Sequence, residues 1–256
     1  VVPALKLAFC YVPKVACTQF KDLINSLNHI DRLDVAGYGK GYLESTAAHL
    51  GVNETGITRE NGWKFATFTR DPALRFLSAF GSTCVAKTSY GEFENFQECC
   101  GPHVYSNALP LEDIVEMFEM RAEYDRQHGF IAEEDHWVPQ VRVLQQCGWD
   151  NFNPAILDFH GDLSARDVNA QVKKMLKMVG GTEDWMMQRV DQLFPEGDIA
   201  GHRSPIRQLR STMESTFYRN KAILESVLTI YEDDYKQIPG VGASFSDKQQ
   251  DTVEEP

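Results

Sequence analysis

Hydrophobic and polar positions along this chain switch between two rhythms. Leu5 to Val12, "LKLAFCYV", is a short, almost unbroken apolar run of the kind that forms a buried strand. From Ala16 to Leu27 apolar residues recur at helical spacing, with Phe20, Leu23, Ile24 and Leu27 on one face. Residues 31–62 are rich in Gly, Asn and Thr, with a short helix expected near Leu43–Leu50. Trp63 to Thr69, "WKFATFT", reads as a second strand. Asp71 and Pro72 then read as the N-cap and first residue of a helix through Phe80.

Residues 81–110 carry Cys, Gly, Ser and Pro and read as a long loop. Helices are expected over Leu111–Arg126, about Trp137–Gln146, and Ala165–Met178, the last with Val168, Val172, Leu176 and Val179 along one side. Ala155 to His160, "AILDFH", is a third strand, and 195–204 a Pro/Gly loop. Thr212 to Tyr231 reads as one long amphipathic helix, with Phe217, Leu224, Val227, Leu228 and Tyr231 inward. Strands alternating with helices imply an α/β domain: a parallel sheet, covered by helices on both faces, with ligands at the carboxyl ends of the strands. Residues 1–240 are expected to form a single domain and 241–256 a polar, disordered tail. There is no internal repeat.

Composition narrows the class. With 256 residues and 43% apolar content the chain can bury a sizeable core. A formal charge of −12 argues against a nucleic-acid partner, since phosphate backbones recruit an excess of Lys and Arg. No run of 18 apolar residues is present, so no segment of this sequence is expected to span a bilayer. Six cysteines are too few for a disulfide scaffold of this size. Cys10 and Cys17 are expected to be buried or site-lining thiols, while Cys84, Cys99, Cys100 and Cys147 fall in loop-like sequence and could form one or two bridges. "NET" at Asn53 is an N-glycosylation sequon and weak support for a secretory route.

Two strand-to-helix turns carry candidate chemistry. The first is "PKVACT", Pro13 to Thr18. A helix start leaves backbone N–H groups unpaired, and with the helix dipole they make an anion site. Lys14 stands at its lip, Val15, Ala16 and Cys17 keep the approach small, and Thr18 adds a hydroxyl. The glycines of a P-loop are missing. Taken alone, a lysine at a strand end such as Lys14 is usually a solvated charge. The second turn is "FTRDPALRFLSAF". Arg70 ends the strand, and Ser78 lies about 9–12 Å along the following helix, so the two could grip one phosphate. The alternative is an Arg70–carboxylate pair and a Ser78 that is merely small.

Together the two turns resemble the nucleotide-binding signatures of sulfotransferases that use 3′-phosphoadenosine 5′-phosphosulfate, and are most similar to the membrane-associated carbohydrate sulfotransferases. In that family a "PK-x-A-C/G-T/S" loop binds the 5′-phosphosulfate, and "R-D/E-P-x-x-R-x-x-S-A-[YF]" binds the 3′-phosphate. "EEDHWVPQ", "LDFHGDLS" and "IYEDDYKQI" resemble further family segments, so the likeness runs from residue 5 to about 238. It departs where the family's Lys-Glu is replaced by Asp162-Leu163, and in the loop "CVAKTSYGEFENFQECCGPHVYSN".

The resemblance implies a P-loop-like sulfotransferase fold and transfer of a sulfonate to an acceptor hydroxyl, carbohydrate by family. The acidic balance leaves room for a small neutral or cationic acceptor instead. Lys14 would stabilise the leaving phosphate oxygen, and no metal is expected. His136 is the candidate base, with Glu134 and Asp135 to orient it and Glu60 or His103 as substitutes; the alternative for His136 is a helix cap. Arg203 and Ser204 would touch the 3′-phosphate or ribose, or else be helix-terminal charges, and Arg207 and Arg210 follow them. By family the protein would face the Golgi lumen as a type II membrane protein, its anchor outside these residues. The rival readings are a phosphotransferase, against which Thr18 stands four residues past Lys14 instead of next to it, and a non-catalytic nucleotide- or sugar-binding module.

Overall fold

The computed structural model describes residues 1–30, 47–48, 50–86, 105–106, 110–129, 136–165, 167–196 and 213–241. Its strands are β1 (Leu7–Cys10), β2 (Lys64–Thr69), β3 (Val85–Ala86), β4 (Tyr105–Ser106) and β5 (Phe159–Asp162). Its α-helices are α1 (Cys17–Leu27), α2 (Pro72–Thr83), α3 (Leu111–His128), α4 (Gln140–Gln146), α5 (Trp149–Phe152), α6 (Val168–Met178), α7 (Asp184–Leu193), α8 (Met213–Phe217), α9 (Lys221–Ile230) and α10 (Glu232–Gln237). The chain divides into two compact units, each assembled from separate stretches. One comprises Val1–Arg70, Gln140–Gly201 and Gln237–Pro256; the other comprises Asp71–Pro139 and His202–Lys236.

The first unit is built on a parallel sheet in the order β1-β2-β5. Phe9, Ala66 and Phe159 share one row across it. Alternation therefore puts Phe9, Phe68 and Phe159 on one face. Phe20 of α1 lies 4.7 Å from both the Phe9 and the Phe68 rings, and Phe194, just past α7, lies 4.9 Å from Phe20. The opposite face carries Cys10, Phe65 and Thr67. Phe152 of α5 meets Phe65 edge-on at 5.4 Å, and Cys10 is bonded to Cys147, just past α4. Helices thus cover both faces, as the strand–helix alternation predicts. Gly161 in β5 permits this packing, since a Cβ there would run into the Phe68 ring.

The second unit is an aromatic helical core. Phe76 and Phe80 of α2, Phe118 of α3, Trp137, Phe217 and Tyr231 are all fully buried. Asp71 caps α2 as its sequence predicts, its Oδ1 accepting from Ala73 N (2.9 Å) and Leu74 N (3.1 Å), with Pro72 in the first turn. Buried Arg121 pairs with Asp125 at 2.7 Å and stacks over Trp137 at 4.2 Å. The Tyr231 hydroxyl donates to Trp137 O at 2.6 Å.

Several expectations are corrected. The third strand begins at Phe159, not Ala155, because an Asx turn occupies the stretch before it: Asn153 Oδ1 accepts from Ala155 N at 2.9 Å. The expected helix over Thr212–Tyr231 is broken, since Asn220 accepts from Ala222 N at 3.0 Å and so caps a new helix, α9. Helix α7 was not expected at all. Cys10 is no free thiol but half of a disulfide with Cys147, 137 residues away. A strand-end cysteine pointing at the covering helix looks, in sequence, like any small core residue. Cys84 is disulfide-bonded too, while Cys17 is a free, half-buried thiol as expected. The expected tail beyond residue 241 and most of the Leu43–Leu50 helix lie outside the described residues.

Candidate active site

The first turn joins the carboxyl end of β1 to α1. Val15 N donates to Val12 O at 3.1 Å, closing a tight corner after Pro13. Lys14 (φ 67) and Ala16 (φ 50) both adopt left-handed backbone, and Val15 between them does not. Backbone of alternating hand is the geometry of anion-binding nests; with Val15 N–H engaged in the turn, the candidate donors are the N–H groups that follow it. The helical ladder begins where Phe20 N donates to Ala16 O at 3.0 Å, so the N–H groups of Cys17 and Thr18 stand ahead of it at the positive end of the dipole. Left-handed backbone at two non-glycine residues costs roughly 1–3 kcal/mol each, and such strain collects at ligand sites. Val15 and Ala16 are buried, Pro13, Lys14 and Cys17 half-buried, and Thr18 exposed.

The second turn leaves the neighbouring strand at the same end of the sheet. Arg70 Nη1 donates to Lys14 O at 3.4 Å, so the structure brings Lys14 and Arg70 together. The Arg70 backbone is held by buried Gln140, whose Oε1 accepts from Arg70 N (3.0 Å) and whose Nε2 donates to Arg70 O (2.8 Å). Beside it, Thr69 Oγ1 and His160 Nε2 lie 2.7 Å apart. Burial pushes the His160 imidazole below its usual range, against an opposing pull from Asp162.

The other candidates belong to other stretches of the chain. Ser78 is half-buried in α2, and half-buried His136 sits in the turn just before Trp137, both in the second unit. Glu60 precedes β2 at the amino end of the sheet, about 16–20 Å of strand away from Arg70. Arg203, Ser204, Arg207, Arg210, His103, Glu134 and Asp135 lie outside the described residues. Gln140 and His160 went unrecognised as site residues. Their only sequence signal is that each ends a segment singled out for other reasons, "HWVPQ" and "AILDFH". Among the described residues no group of three or more His, Cys, Asp or Glu is placed to hold a metal, and no helix is long and apolar enough to cross a membrane.

A strand–nest–helix turn next to an arginine-bearing strand end is an arrangement suited to an anionic ligand, as group-transfer enzymes require. The chain belongs to the sulfotransferase family, whose model matches residues 1–237. Over 156 residues it is 27% identical to carbohydrate sulfotransferase 14 of Mus musculus, covering 56% of this chain but 38% of the mouse protein. The chain therefore spans well under half the length of that relative. No solved structure matches.

Proposed function

We propose that this chain transfers a sulfonate group from 3′-phosphoadenosine 5′-phosphosulfate to a hydroxyl of a carbohydrate. Family membership supports sulfonate transfer, and the mouse relative's name supports the carbohydrate. The observation that carries the donor reading is the nest at Lys14–Ala16 with the Arg70 guanidinium against the Lys14 carbonyl. Two cation-bearing turns then meet at one end of one sheet, as a ligand with two anionic groups requires.

In this reading the donor supplies an activated sulfonate. Pro13, Lys14, Val15, Ala16, Cys17 and Thr18 wrap its 5′ end, with the N–H groups of Ala16, Cys17 and Thr18 and the side chains of Lys14 and Thr18 as donors, and Arg70 holds its 3′-phosphate. The shares of Ser78, Arg203 and Ser204 rest on the sequence motif alone. Lys14 stabilises charge growing on the phosphate oxygen as its bond to sulfur breaks. The acceptor oxygen bonds to sulfur and its proton passes to a base, His136 in our assignment. Lysine and helix dipole supply the positive field, so the reaction needs no metal. The disulfides at Cys10 and Cys84 suit an oxidising compartment, which supports a Golgi-lumenal site for the domain. The exposed sequon at Asn53, where the Asn53 side chain accepts from Thr55 N (3.1 Å), supports a glycoprotein.

The net charge of −12 favours one second reading, a small neutral or cationic acceptor in place of an anionic polysaccharide. Labelled sulfonate transfer to a panel of hydroxyl acceptors, with and without chelator, tests both. Chelator-resistant transfer to a sugar is the expected result. Nucleotide binding with no turnover on any acceptor would instead mean a binding module.

A further inference from the structure

We propose that Gln140 is a positioning residue for phosphate recognition by Arg70, an inference that rests on the Arg70 assignment above. The sheet ends one residue before Arg70. The last carbonyl of β2, Thr69 O, is taken by Leu163 N at 2.8 Å. Arg70 N and Arg70 O lie beyond that ladder, yet both are satisfied by one side chain, Gln140, which is 0% exposed. The amide of Gln140 does the work of one residue of a further strand. It extends the fixed backbone of β2 by one position and so sets the point from which the Arg70 side chain leaves.

Few side chains can do this. The clamp needs a donor and an acceptor held side by side on a two-carbon tether. Ionised glutamate lacks the donor, lysine lacks the acceptor, and asparagine is one carbon short. Gln140 is the first residue of α4, and just past the other end of that helix Cys147 is bonded to Cys10, the last residue of β1. Helix α4 is thus fastened at both ends, to the strand ends that lead into the two turns. A long guanidinium side chain on an unfixed strand end would sweep a wide arc. A phosphate contact gains affinity only if that freedom is already removed.

The test is titration calorimetry on the full chain with two probes, 3′-phosphoadenosine 5′-phosphate and adenosine 5′-phosphate, which differ only in the 3′-phosphate. Wild-type protein should prefer the first. Gln140→Met keeps the shape and removes the clamp. It should lose about tenfold in affinity for the bisphosphate, the scale of one broken buried hydrogen-bond pair, and less than about twofold for the monophosphate. A second variant, Gln140→Glu, adds a readout that mere packing would not move. Its protonated carboxyl can still donate to Arg70 O and accept from Arg70 N, whereas its ionised form cannot donate. Relative to wild type at each pH, its bisphosphate preference should therefore recover as pH falls. Equal loss of both probes in Gln140→Met, an unchanged preference in that variant, or a pH-independent preference in Gln140→Glu would overturn the proposal. A wild-type protein with no preference between the probes would remove the Arg70 assignment itself, a distinguishable failure.

Discussion

Cys10 closes strand β1 and is disulfide-bonded to Cys147, which lies 137 residues further along the chain and just past α4. The bond staples the sheet to the helix that covers it, four residues before Lys14. Closing so long a loop removes much unfolded-state entropy. Replacing both cysteines by alanine should lower the unfolding free energy by about 2–5 kcal/mol. Urea denaturation of wild type and double variant under non-reducing conditions checks this; equal midpoints would refute it.

Lys14 contributes its charge more than its packing, for it is half-buried at the lip of the turn. Lys14→Ala should reduce turnover by about 10²–10³-fold, the usual effect of losing one donor to a developing oxyanion. Its thermal midpoint should stay near that of wild type. Near-native turnover would take away the role assigned to this side chain.

Ala16 should tolerate glycine and reject valine. Its φ of 50 lies in the left-handed region, which glycine enters freely and β-branched residues resist. Ala16→Gly should keep donor affinity, whereas Ala16→Val should cost about 1–3 kcal/mol of stability and weaken donor binding as well. Thermal melts with and without nucleotide would separate the two losses.

Arg70→Ala should weaken binding of 3′-phosphoadenosine 5′-phosphate by about 10–100-fold while leaving adenosine 5′-phosphate little changed, the scale of a lost charge-assisted contact. Parallel loss for both nucleotides would argue that Arg70 only supports the Lys14 turn through its bond to the Lys14 carbonyl.

His160 should make stability depend on pH. Burial disfavours its charged form, so the folded state binds this proton less readily than the unfolded state, whose value is 6.5. The stability is fully present above 6.5 and is lost progressively as pH falls from there toward the lower folded value. Urea midpoints between pH 7.5 and 5.5 should drop for wild type and drop less for His160→Gln. Matching slopes would mean the imidazole is not the group responsible.

Much of the site was legible in sequence because its logic is local. A helix start that follows a strand presents its own N–H groups, so "PKVACT" and "TRDPALRFLSAF" announce their turns within a dozen residues. Asp71 and Pro72 mark the start of α2 for the same reason. Less visible was the break at Asn220, where a cap interrupts a hydrophobic stripe that continues in register on both sides.

The sequence by itself determined the first two strands, the helices that follow them, and the two strand-to-helix turns with Lys14 and Arg70, since each depends on neighbours a few residues apart. Only the tertiary structure decided that Arg70 reaches the Lys14 carbonyl, that Gln140 holds the Arg70 backbone, and that Cys10 pairs with Cys147. Those partners are separated by 56, 70 and 137 residues. They meet because parallel strands bring all their carboxyl ends to one edge, and the order in which strands and helices pack there is written in no short stretch of the chain.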